Sequence, residues 1–110
     1  MDKDIIWLKQ NGFSKVEPKW VASQAERDYY DGTWQTVLPG ACPNASAKVV
    51  CKLTFNFEES TWSGFMLCQS LFDWLDLEAF EVTGFSTAEE AFNEAKRRWD
   101  EFMSALSLIQ

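Results

Sequence analysis

The feature that most limits what this chain can fold into is an apolar stripe near its C-terminal end. Ala88, Ala91, Phe92, Ala95, Trp99, Phe102, Met103 and Leu106 follow one another at three- and four-residue spacings, which sets them on one side of an α-helix. Such a helix draws most of its stability from what covers the stripe, so a packing surface must exist elsewhere in the chain. Ser86-Thr87-Ala88-Glu89 has the form of a capping box at the start of this helix. Phe92 and Trp99, seven residues apart, are its expected anchors.

The covering surface is legible upstream. Val49, Cys51, Leu53, Phe55 and Phe57 alternate with Lys48, Val50, Lys52, Thr54, Asn56 and Glu58, the period of a strand with one face in the core. Glu58-Glu59-Ser60-Thr61 turns the chain. Residues 62–72 then continue as a less polar strand, with Trp62, Gly64, Met66 and Cys68 on one face and Ser63, Phe65 and Leu67 on the other, as expected for a central strand of an antiparallel sheet. Asp31-Gly32, between Tyr30 and Trp34, signals a first hairpin over residues 29–38. Residues 16–20 include Pro18, which has no amide to donate, and read as an edge strand or extended loop. Leu38-Pro39-Gly40-Ala41-Cys42-Pro43-Asn44-Ala45-Ser46 reads as a loop. Residues 73–84 carry helix and strand signals together, and an irregular connection with a short strand near 78–82 is expected.

At the other end, residues 2–10 read as a short helix whose apolar side is drawn from Ile5, Ile6, Trp7 and Leu8. Asp2 and Asp4 suit the positive end of its dipole, and Asn11-Gly12 is a stop. The whole reads as a single α+β domain over residues 1–110: a short N-terminal helix, an antiparallel sheet of three to five strands, and a long C-terminal amphipathic helix packed on one face.

Composition narrows the function. With 46% hydrophobic and 15% aromatic residues, no long stretch is expected to be disordered. No apolar run reaches the roughly 18–20 residues of a membrane span, and Met1-Asp2-Lys3-Asp4 does not open a signal peptide, so a cytoplasmic protein is expected. Three cysteines and no histidine leave no Cys/His zinc set, and Cys42, Cys51 and Cys68 are expected as reduced thiols. The five glycines stand at 12, 32, 40, 64 and 84 and form no phosphate loop. A serine or cysteine nucleophile would lack the usual histidine base. The carboxylate pairs Asp73/Asp76 and Glu58/Glu59 read as solvated rather than catalytic. A protein without enzymatic activity, metal or cofactor is expected.

Charge supplies the positive indication. Of the formal net charge of −7, most arises in residues 73–101, where nine acidic side chains accompany three basic ones. A helix, an antiparallel sheet and a final helix also outline double-stranded-RNA-binding domains, but Thr87-Ala88-Glu89-Glu90 would repel phosphate where those domains attract it. Lys96-Arg97-Arg98, the one basic cluster, has Glu94 and Glu101 at pairing distance along the helix. Direct nucleic-acid binding is therefore not expected. An acidic ridge fits a partner protein with a basic surface, and Asp73, Trp74, Asp76, Glu78, Glu81, Glu89 and Glu90 are the candidate contact residues, with Trp74 as anchor. The same acidity, with a pI near 4.5, also serves solubility alone.

The run Val82-Thr83-Gly84-Phe85-Ser86-Thr87-Ala88-Glu89-Glu90-Ala91 resembles the ends of many small phage and prophage accessory proteins, among which are anti-CRISPR and anti-restriction proteins. The resemblance implies a small, acidic, cofactor-free inhibitor of a host nucleic-acid-binding protein or complex. An immunity protein that neutralises a basic nuclease toxin fits the same physics. A structural or assembly module that self-associates through aromatic patches is the alternative from another class.

Overall fold

The computed structural model describes residues 2–16, 23–38, 48–69, 74–76 and 81–109. Its elements are α1 (Asp2–Gln10), β1 (Ser14–Lys15), α2 (Gln24–Asp31), β2 (Thr33–Val37), β3 (Lys48–Asn56), β4 (Thr61–Gln69), β5 (Trp74–Asp76), β6 (Val82–Phe85) and α3 (Ala88–Ile109). This is the expected α+β architecture, with a short N-terminal helix, an antiparallel sheet and a long C-terminal helix on one face. Among the described residues no helix is long and apolar enough to cross a membrane.

The β3–β4 hairpin is the backbone of the sheet, paired without interruption from Lys48↔Gln69 to Asn56↔Thr61. Its connection is held by Asn56, whose Oδ1 accepts the amides of Glu58 (2.9 Å) and Glu59 (3.1 Å). The Asn56 carbonyl accepts from Ser60, and Ser60 takes a left-handed φ of 55°. On the other side of β3 lies β2, followed by β1, all antiparallel. The free side of β4 is shared: β5 pairs with Leu67 to Gln69 and β6 with Trp62 and Gly64, so six strands fill five places.

Alternation along the strands produces two unlike faces. Val49, Cys51 and Leu53 of β3 and Trp62 and Met66 of β4 are buried beneath α3, whose Ala88, Ala91, Ala95 and Trp99 are also buried. The alanines let the helix lie close on the sheet, and Gly64 makes room beneath them: a Cβ there would stand 2.7 Å from Leu53 Cδ2 and 3.6 Å from the Ala91 carbonyl oxygen. Inside this layer the Cys51 thiol has its pKa pushed up to about 12 by burial, which keeps it protonated and inert. Phe92 is only half-buried and packs outward on Trp7 and Phe13, both at 5.6 Å between ring centroids.

α1 closes the open end of this core. Leu8 is fully buried, whereas Ile6, read as part of the apolar side, is 57% exposed; residues 4, 5, 7 and 8 form the inward face instead. The predicted stop is a Schellman turn: Phe13 N donates to the Leu8 carbonyl (2.9 Å) and Gly12 N to that of Lys9 (3.3 Å), with Gly12 at φ 80°. The Phe13 ring then meets Trp7 at 5.8 Å. Asp4 reaches furthest. One carboxylate oxygen accepts Ala88 N, the first amide of α3, at 2.9 Å, and the other accepts the buried Trp62 indole Nε1 at 3.2 Å.

Three local readings are corrected. Residues 24–31 form helix α2 rather than the first arm of a hairpin; the aromatic pair Tyr29-Tyr30 carries strand propensity, but the Ser23 carbonyl accepts from Arg27 N and begins a helix. The cap of α3 lies one residue later than the box suggested, since Thr87 Oγ1 accepts Glu90 N (3.2 Å). β3 ends at Asn56, so Phe57 sits in the turn, 49% exposed, instead of in the core. The short strand expected near residues 78–82 overlaps the observed strand Val82–Phe85 only at its end; a further short strand lies at Trp74–Asp76, and residues 77–80 lie outside the described residues. The loop read over residues 38–46 and the proline-containing segment of residues 16–20 lie mostly outside the described residues.

Two stability tests follow from this packing. Asp4→Ala strips an acceptor from a helix N-terminus and from a buried indole, and should cost about 1–3 kcal/mol in denaturant unfolding, with Asp4→Asn recovering part of it. Trp99→Ala should cost roughly 3–5 kcal/mol, because Trp99 is buried on the sheet-facing side of α3.

Candidate functional site

The seven acidic-ridge candidates do not form one described surface. Asp73 and Glu78 lie outside the described residues. Trp74 and Asp76 fall in β5, with their backbones paired to Gln69 and Leu67. Glu89 and Glu90 are exposed in the first turn of α3, where their charge suits the helix dipole. Glu81 is exposed just before β6, and its carbonyl accepts from Arg98 Nη1 at 3.5 Å. Arg98 is about two turns of helix beyond Glu90, so Glu81 and the Glu89-Glu90 pair occupy separate places along α3.

The basic cluster on the outer face of α3 is neutralised internally, as its spacing suggested. Arg97 binds Glu94 at 2.7 Å and Glu101 at 2.9 Å, Arg98 binds Glu94 at 3.0 Å, and Lys96 binds Asp100 at 2.9 Å. Glu94 is the centre, with its carboxyl lowered to about 2, first by the hydrogen bond from Arg97 and then by that from Arg98. The same pairing raises Arg97 above its ordinary value, chiefly through its hydrogen bond to Glu94.

The second face of the sheet is different. Thr33, Thr54 and Ser63 bring hydroxyls there; Thr33 and Thr54 meet at 3.1 Å, and Ser63 Oγ donates to the Thr54 carbonyl at 3.4 Å. Val50, Lys52, Phe65 and Leu67 are half-buried on this face. At the hairpin end it opens into a groove of about 520 Å³. Thr54, Ser63 and Phe65 contribute from the strands, Ala25 from α2, and Phe57, Glu58 and Glu81 complete the lining together with Phe55 and Asn56. The Phe57 ring is held against Phe55, 5.2 Å between centroids and near edge-on. Phe55 in turn packs on Trp62 at 5.2 Å.

Among the described residues, Glu81 is the sequence candidate that lines this groove. Phe57 was absorbed into the core by the strand alternation, although the Glu58-Glu59-Ser60 turn signal beside it marks where alternation must stop. In the sequence Glu58 reads as a polar strand-end and turn residue and as half of a carboxylate pair, and Phe65 as lying on the face of β4 opposite Trp62 and Met66. Among the described residues no group of three or more His, Cys, Asp or Glu side chains is gathered in metal-binding geometry.

The ion-pair cluster has a defined pH dependence. A carboxyl lowered in the folded state stabilises above its unfolded value, roughly 4.3, and loses that contribution as pH falls from there toward about 2. The stability difference between the native protein and Glu94→Gln should therefore shrink as urea unfolding is moved from pH 6 to pH 3. Comparison of the chain with protein-family models, curated proteins and solved structures finds no match.

Proposed function

We propose that this protein is a non-enzymatic binding protein that occupies a basic surface on another protein. One observation carries the reading. The groove at the β3–β4 hairpin end is lined by a half-exposed aromatic residue, Phe57, and by two acidic residues from different parts of the chain, Glu58 and Glu81, and no basic residue lines it among the described residues. Aromatic anchors supply binding energy at interfaces, while complementary charge speeds encounter and selects partners. The net charge of −7 supplies the long-range field, and the groove supplies a place of contact.

Basic surfaces in a cell belong largely to nucleic-acid-binding proteins. The proposed target class is therefore a host nucleic-acid-binding protein or complex, blocked in the manner of the small inhibitors encoded by phages and other mobile elements. The self-paired Arg97 and Arg98 are consistent with a protein that meets such a target directly rather than through nucleic acid.

The test is capture by the tagged protein from nuclease-treated bacterial lysate at low and moderate salt, followed by mass spectrometry. Selective capture of a nucleic-acid-binding protein that weakens as salt rises is the expected result. Glu58→Lys/Glu81→Lys should lower the affinity for that protein roughly tenfold at low salt. Recovery of the bait alone, or of bait oligomers at both salts, would overturn the proposal in favour of an assembly module.

A further inference from the structure

We infer that the groove at the hairpin end receives an arginine side chain of the partner. The inference rests on the binding reading above and adds where contact is made and by what chemistry.

The polar groups of the groove sort into those engaged within the chain and those left to solvent. Asn56 Oδ1 is engaged by two backbone amides, the Thr54 hydroxyl by Thr33, and the Ser63 hydroxyl by the Thr54 carbonyl. The carboxylates of Glu58 and Glu81 take no hydrogen bond or ion pair from the described residues. The nearest cation along α3, Arg98, spends its Nε on Glu94 at 3.0 Å and reaches only the backbone carbonyl of Glu81. Lys52 is paired across the strands with Phe65 but does not line the groove. Among the described residues, then, no cation of this chain lines the groove.

The aromatic lining decides which cation fits. A guanidinium is planar and weakly hydrated, so it stacks on a ring while its fork of donors reaches carboxylates; an ammonium is a compact, strongly hydrated charge that does neither as well. Phe57 is held at the rim by Phe55 and keeps about half its surface open, and Phe65 is half-buried in the groove. A volume of about 520 Å³ admits one long side chain with its flanking backbone.

The test is a titration of the full ¹⁵N-labelled chain by NMR, at low salt, with acetyl-Gly-Arg-Gly-Arg-Gly-amide and its lysine counterpart. Amide shifts should concentrate at residues 54–58, 63–65 and 81, with the arginine peptide binding about two- to fivefold more tightly than the lysine peptide. Phe57→Ala should erase that preference, and Glu58→Gln/Glu81→Gln, a purely surface change, should weaken both peptides. Shifts centred on Glu89 and Glu90 with no preference between peptides would overturn the arginine groove while leaving the acidic binding reading in place. An arginine preference that survives in Phe57→Ala would overturn it as well. Failure of both peptides to bind anywhere on the chain would remove the inference and the reading beneath it together.

Discussion

A single half-buried carboxylate joins three elements that lie far apart in the sequence. Asp4 belongs to the first turn of α1, accepts the first amide of α3, and accepts the indole of Trp62 on β4. Two helix N-termini, each carrying partial positive charge, therefore share one anion. The geometry fixes where α3 begins over the sheet, and with it the positions at which Ala88, Ala91 and Ala95 meet the strands. Trp62 could not be buried at this depth without a partner for its N–H, since an unsatisfied indole in the core is costly. The neighbouring aromatic trio of Trp7, Phe13 and Phe92 seals the same end of the layer from outside.

From that anchorage the division of labour between the faces of the sheet follows. Among the described residues, the face beneath α3 is filled by small helix residues and large strand residues that are buried from solvent. The opposite face is paved with hydroxyls and half-buried apolar groups, and its exposed aromatic lies at the hairpin tip. The turn at Asn56 puts it there: the Asx geometry ends the strand one residue before Phe57, so a ring that would continue the core swings to the rim beside Glu58.

How much of this was legible in the chain depends on how many neighbouring residues repeated the same message. The C-terminal helix spans many turns, and each buried position reinforces the others; the β3 and β4 alternation extends over nine residues in each strand. Those elements could be read. Helix α2 is eight residues long, too short for periodicity to outvote two tyrosines with strand preference, and its placement is a tertiary matter. The cap lies one residue later because Ser86 and Thr87 are chemically equivalent candidates, and Asp4 fixes the start of the helix by accepting the amide of Ala88, eighty-four residues away in the chain. The groove was illegible for a related reason. Glu81 lines the same groove as Phe57 and Glu58 because the chain returns along the free side of β4, and no local pattern in the sequence announces that return.

That return has a further consequence. The outer place beside β4 is taken by two pieces of three and four residues, and the opposite margin of the sheet is closed by a strand of two. Among the described residues, neither margin offers the long, straight row of backbone donors and acceptors on which another chain could propagate a ladder. A domain built around one strong, apolar nine-residue hairpin would otherwise be a template for runaway strand addition. Here both borders are ragged, and growth beyond them is frustrated at the same time as the centre stays fully paired.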